Sequence, residues 1–356
     1  MPNYWRLDII LFITTLLFPK HKINKTILVI KIMKELIHAW ELKGIIHTTI
    51  EFKLEIRRRV LEKFKSFQNA ARNIGNITGV SISFFLRNEK VFMKTHKLYR
   101  ITDNIGLPRE EVERHIDLFK DFTNGPVFHI KFPVRFTPLM LRVISHVTGD
   151  GCASSNMLRW TQQDTTPLQK LIKSILGVEV NSNKGQLTIP ALIGKVTCAA
   201  LILDRTDFKL PIFVEKIMEL SKPFKLQFLL AIIDDEGTID WKNYGGIDIR
   251  MSDKRLVEQI RNLCLSLGLK VSTLKEIENN GSFSTENSKL FRFKILAEGI
   301  RILSNDIQEI INNIGEIGSF WIKKDAFEKR VARLWKVRFP QKVNYNLNEF
   351  FASKIL

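Results

Sequence analysis

The sequence predicts an α+β chain in which a helical N-terminal region precedes one α/β unit used twice. Three observations predict it. An apolar helix closing on an acid and a glycine occurs twice, each copy is followed by strand, helix and strand in the same order, and the stretch before them has helical periodicity broken by glycine turns. At 356 residues, 45% of them hydrophobic, the chain is long enough for two or three compact units with a sizeable interior.

Taken in order, Ile9 to Phe18 is an apolar run too short to span a bilayer and closed by Pro19. Asp8 and the lack of a small-residue cleavage site speak against a signal peptide. Met33 would also serve as a start, so nothing is built on the 32 residues before it. From Lys31 to Phe67 the spacing of Leu54, Ile56, Val60, Leu61 and Phe64 predicts helix, giving a helical segment over 1–67. Residues 68–130 read as a bundle of short helices. Within it Gly75, Gly79, Val80 and Phe85 fall where a helix-turn-helix needs a small residue, a turn and apolar anchors. Ser81, Ser83 and Arg87 would then point from the second helix toward a major groove. A plain helix, glycine turn and helix fits the same residues. Leu98 to Val112 resembles the closing helices of repressor-like domains.

The repeat spans 136–205 and 224–327, with a linker at 206–223 and a basic tail at 328–356. Its first copy opens on Pro138 and runs to Asp150-Gly151, its second on Phe224 and runs to Glu236-Gly237. Strands are expected at Met157–Gln162 and Ile247–Met251. Thr166 with Pro167, and Ser252 with Asp253, are expected to start the next helices, which stop at Gly177 and Gly268. Val178 to Val180 and Lys270 to Ser272 are expected to follow as strands.

Charge narrows the function. Lys and Arg number 55 against 37 Asp and Glu, a net +18, which points to a polyanion as partner. Nucleic acid leads and an anionic membrane surface follows, but no prominent amphipathic Lys-rich helix supports the membrane. Three cysteines (Cys152, Cys198 and Cys264) in no paired spacing exclude a zinc ribbon or a disulfide scaffold and suit a reducing cytoplasm.

The stretch Leu229 to Gly237, ending Asp-Asp235-Glu236-Gly, resembles the LAGLIDADG motif, and Val143 to Gly151 resembles a more diverged first copy. The 86 positions between Asp150 and Glu236, with matching elements after each, carry this resemblance to the single-chain, two-motif type of LAGLIDADG homing endonuclease. It implies a pseudo-two-fold pair of αββαββ-type units forming a DNA-binding β-saddle, and a monomer that hydrolyses both strands of double-stranded DNA. Ser145 and Ala231 would be the small residues where the motif helices meet, beside Gly149 and Asp235, and Gly151 and Gly237 would turn helix into strand. Asp150 and Glu236 would be the catalytic acids and would hold Mg2+, or Mn2+, since two adjacent carboxylates need a hard cation between them.

His146 and Thr148 depart from the motif. Lys294 matches the basic residue that the resemblance implies near the scissile phosphate, whereas the first half offers Pro190, with Lys184 and Lys195 nearby, so one strand is expected to be cut more slowly or activity to be lost. By alternation Arg159, Thr161 and Gln163 share one DNA-reading face, and Asp248 and Arg250 the other. A silent DNA-binding regulator and a maturase acting on intron RNA remain open beside the nuclease. A nuclease embedded in an intein is set aside, because the chain starts at Met1 and ends at Leu356 without the residues protein splicing needs.

Overall fold

The computed structural model describes residues 34–123, 125–154, 157–239, 246–278, 289–314 and 324–338. The apolar run at Ile9 to Phe18 and the chain beyond Arg338 lie outside the described residues.

The N-terminal region is mixed rather than helical throughout. It runs β1 (Leu36–Ile37), β2 (Ile45–Thr48), α1 (Ile50–Phe64), α2 (Phe67–Ile74), α3 (Gly79–Arg87), β3 (Met93–Lys94), α4 (Thr95–Asn104), α5 (Arg109–Arg114), β4 (Ile116–Lys120), β5 (Val127–Phe128) and β6 (Val134–Arg135). Among the described residues α-helix therefore starts at Ile50, after a 3-10 turn at Ala39–Glu41; Lys31 lies outside them. The run Ile45 to Thr48, β-branched at all but His47, pairs with β3 and β4 in an antiparallel sheet of order β3-β2-β4-β5. On α1, Phe52, Ile56 and Val60 are buried while Leu54 faces solvent.

Helices α2 and α3 follow one another across a short turn and pack together, with the glycines in different roles from those expected. Gly75 lies beyond the end of α2 at φ 69, a conformation that suits glycine, and does not sit within the first helix. The small residues there are Ala70 and Ala71, both buried. Gly79 opens α3 close to α2: a Cβ would stand 2.8 Å from Gln68 Oε1 and 3.0 Å from its backbone nitrogen. Thr78 caps α3 by accepting the Ser81 N–H at 3.1 Å. Val80 is 70% exposed and anchors nothing; Ile82, Phe85 and Leu86 are the buried face. Beneath α3, the buried Lys53 ammonium donates to the carbonyls of Asn88, Glu89 and Val91 at 3.1, 2.9 and 2.9 Å.

The first repeat unit is α6 (Pro138–Thr148), β7 (Gly151–Ala153), β8 (Leu158–Thr161), α7 (Thr166–Leu176), β9 (Ser182–Asn183), β10 (Gln186–Ile189) and α8 (Ala191–Leu201). The expected linker is itself folded. A 3-10 turn at Arg205–Lys209 leads into α9 (Pro211–Met218), and the aromatic cluster Phe208, Phe213 and Phe228 pins both to the second half. The second unit follows as α10 (Lys222–Glu236), β11 (Gly237–Ile239), β12 (Ile247–Met251), α11 (Lys254–Ser266), β13 (Lys275–Glu278), β14 (Lys289–Ile295) and α12 (Ala297–Ile314). The two sheets have the same antiparallel order, β7-β8-β10-β9 and β11-β12-β14-β13, so the αββαββ repeat is real and each copy closes on a further helix.

Local details differ from the sequence expectations. Helix α7 is entered from Thr165, with Pro167 at its second position, and Asp253 rather than Ser252 caps α11, accepting the Leu256 N–H at 3.0 Å. Val178 to Val180 is not a strand, because the Val180 carbonyl is taken by the Gln169 side chain at 2.8 Å and pairing begins only at Ser182. The tight turn Lys184-Gly185, both at positive φ, closes that hairpin. In the second half Val271 makes only an isolated bridge to Ile295, and the strand proper starts at Lys275. The basic segment after Lys323 includes α13 (Lys324–Arg338), which packs on α12 and β11 and buries Phe327, Val331 and Leu334 along one face. To that extent it is part of the fold and not a free basic tail.

Candidate metal and nucleic-acid site

The site is built where α6 and α10 end. These helices pack on each other more extensively than any other pair of described elements. Leu226 to Asp234 of α10 is buried without interruption, as is Met140 to Thr148 of α6. Close approach is possible because Ser145 and Ala231, at equivalent positions, are small and fully buried, and Ser145 satisfies its hydroxyl by donating to the Leu141 carbonyl at 2.7 Å.

At the C-terminal ends the helices touch. A Cβ on Gly149 would stand 2.5 Å from Asp235 Cβ, so Gly149 is glycine because the opposite helix occupies that space. Gly151 and Gly237 sit alike. A Cβ would meet Val147 Cα at 2.3 Å in the first half and the Ile233 carbonyl oxygen at 2.5 Å in the second. Each strand thus doubles back against the last turn of its own helix, which leaves no room for a side chain.

Asp150 and Glu236 are the residues immediately after this contact in the two halves. Asp150 is exposed, Glu236 half-buried. Gln162, just past the end of β8, donates from Nε2 to Asp150 Oδ2. The Lys209 ammonium donates to the carbonyls of Gly149 at 3.1 Å and Gly151 at 2.8 Å, placing a cation at the negative end of α6 and flanking Asp150. Sequence reasoning missed both residues. Nothing local marks them, since Lys209 arrives from the turn between the halves and Gln162 is one position away from the glutamine expected to read DNA.

Asp235 points inward. Its side chain is fully buried and accepts from His146 Nδ1 at 3.0 Å and Trp160 Nε1 at 3.1 Å. Beside it Arg142, pushed below the usual guanidinium pKa by burial, bonds Asp234 at 2.5 Å and the Gln227 carbonyl at 3.4 Å. Thr148 donates to the Phe208 carbonyl at 2.7 Å. The two departures from the motif, His146 and Thr148, are therefore satisfied polar groups of the core.

Strand register fixes the correspondence of the two sheet faces. Trp160 and Ile249 are equivalent core positions, so Arg159 matches Asp248, Thr161 matches Arg250 and Gln186 matches Arg292. Lys294 pairs across from Asp248, and its counterpart, across from Arg159, is Thr188. Pro190 is buried beyond the strand, and Lys195 is turned away, in an ion pair with Asp121 at 3.0 Å. Lys184 lies in the hairpin turn between β9 and β10. Arg159 and Thr161 do share the outer face of β8, but Gln163 lies in the bend after the strand and not on that face. On the other sheet Arg250 is exposed, whereas Asp248 is 5% exposed and held by Arg250 at 2.7 Å and Arg292 at 3.5 Å. Ser81 and Arg87 are exposed on α3, and Ser83 is half-buried.

The donor set fits a hydrated divalent cation of the magnesium type. It offers one hard carboxylate at the end of each of the two packed helices, with Asp235 withdrawn into the core. Remaining ligand positions would fall to water and substrate oxygens.

No curated protein matches the chain in sequence. Two solved structures show what the chain is similar to at low identity. A variant study of the homing endonuclease I-DmoI matches at 14% identity and a TM-score of 0.32, covering 49% of this chain and 96% of that one. The I-DmoI structure in complex with DNA and Mn matches at 13% identity and a TM-score of 0.27, covering 50% and 97%. The family comparison is the informative one: residues 223–315 match the LAGLIDADG-like domain. That span runs from the start of α10 through α12, so the whole second unit is similar to a LAGLIDADG-like domain.

Proposed function

We propose that the chain is a site-specific double-strand DNA endonuclease of the homing type, acting as a monomer because both halves of its saddle lie in one chain. The observation that carries this reading is the placement of Asp150 and Glu236 at equivalent helix ends, between two sheets of identical order. The outer face of the second sheet carries Arg250, Arg292 and Lys294, and the net charge of +18 favours a polyanion.

Asp150 and Glu236 would hold Mg2+, or Mn2+, which when bound supplies charge neutralisation at the scissile phosphates and an activated water. The chain's own residues do the rest. Gln162 orients the Asp150 carboxylate, and Lys209 fixes the backbone on both sides of it. Lys294 brings a cation to one half, where the other has Thr188, so the two strands are cut at unequal rates. Arg159, Thr161 and Arg250 contact base edges or phosphates across the saddle, and α3 offers Ser81, Ser83 and Arg87 to a second stretch of duplex.

Cleavage of a randomised duplex library in Mg2+ tests this, with Asp150→Asn and Glu236→Gln as controls. Selective double-strand cuts lost in both variants are expected. Selective DNA binding without cutting in the wild type would replace the proposal by a silent regulator, and selective binding of intron RNA by a maturase.

A further inference from the structure

The contact between α6 and α10 has two chemically distinct parts. Most of it is apolar and small, and α10 is buried all round, so packing alone specifies poorly how far one helix slides along the other. At the end nearest the acids, directional polar contacts take over. Arg142 bonds Asp234 at 2.5 Å, and Asp235 accepts from His146 at 3.0 Å and from Trp160 at 3.1 Å. Arg142 Nε also reaches His146 Nε2 at 3.3 Å, joining the two pairs.

The polarity of this cluster is one-sided. Every donor (Arg142, His146, Trp160) comes from the first half and both carboxylates come from the second. The equivalent positions exchange these residues for Phe228, Ile232 and Ile249 in the second half, and for Thr148 and Gly149 in the first. No other register, and no pairing of like halves, satisfies the buried charges, and leaving one unpaired is costly. Asp235 is followed directly by Glu236 and touches Gly149, which is followed directly by Asp150.

We infer that Asp235, His146 and Trp160, with the Arg142–Asp234 pair, are positioning residues that fix the axial register of the two motif helices and thereby the spacing of Asp150 and Glu236. A slide by one residue displaces Glu236 by about 1.5 Å along the helix axis. Misplacement by about 1 Å can cost on the order of 100-fold in rate. The inference rests on the nuclease reading above.

The test uses the full chain with Trp160→Phe, which deletes one N–H and keeps a ring, His146→Leu, and His146→Gln, which keeps a donor. Four quantities are measured: thermal midpoint, duplex affinity in Ca2+, Mn2+ affinity by electron paramagnetic resonance, and single-turnover cleavage in Mg2+. Trp160→Phe and His146→Leu are expected to hold duplex affinity within about twofold while weakening Mn2+ binding and slowing cleavage about 10-fold or more; His146→Gln retains most of both. Folded variants with unchanged Mn2+ affinity and rate would overturn the positioning role, as would losses that merely track the unfolded fraction. A wild type that binds no Mn2+ and cuts nothing would remove the nuclease reading and this inference together. A wild type that does both beside unaffected variants removes only the inference.

Discussion

Replacing Arg142 by Met removes one charge of a pair whose side chains are 2% and 1% exposed, and takes from the buried Asp234 its guanidinium partner. Met keeps the length of the stem, so the cavity is small and the loss is chiefly electrostatic. Breaking a buried pair from one side costs about 3–5 kcal/mol, since the remaining ion keeps its desolvation penalty and loses its partner. For a chain of this size that corresponds to a fall in thermal midpoint on the order of 10 °C. The double variant Arg142→Met with Asp234→Leu removes both charges and is expected to regain at least about half of the loss, because apolar residues of similar volume replace ion pairs at little net cost. Urea unfolding of the four proteins of this cycle gives the coupling energy directly. A loss below about 1 kcal/mol in the single variant, or additive losses in the double, would refute the view that the two helices are joined by a paired buried charge.

Three further outcomes follow from the geometry. Gly151→Ala and Gly237→Ala place a methyl against backbone atoms that cannot yield, so each is expected to lose about 1–3 kcal/mol in urea unfolding; Gly177→Ala, with nothing within 4 Å of the new methyl, should lose less, from its positive φ alone. Lys53 is held down to about 8, from 10.5, by burial. Its folded form sheds the proton first, so stability rises as pH climbs from about 8 to 10.5; in Lys53→Met that component of the pH profile should vanish. Lys209→Met removes the cation at the end of α6, and is expected to lower cleavage more than duplex affinity. Equal falls in both would assign Lys209 to general DNA attraction instead.

The repeat was legible because its signals are local. A helix with continuous apolar character, an acid and a glycine at its end, and strands of alternating character announce themselves within a window of about fifteen residues. The helix ends at Asp150-Gly151 and Glu236-Gly237 were read from that pattern, Ser145 and Ala231 from the motif resemblance, and all six fall at equivalent positions of the two units. Errors cluster where the local signal has competitors. Gly75 and Gly79 were assigned by spacing, yet φ at Gly75 and the Thr78 cap decide their roles. Gln163 continued an alternation that the chain abandons after Thr161, and Gln162 is turned to Asp150 instead.

By itself, then, the sequence determined the duplicated α/β architecture and the turn glycines, since periodicity and backbone freedom are written residue by residue. Only the tertiary structure decided that Asp235 faces the core, that Lys209 flanks Asp150, and that Thr188 is the counterpart of Lys294. Those facts depend on which side chains meet across 58 to 89 positions of chain and on strand register, neither of which leaves a local trace.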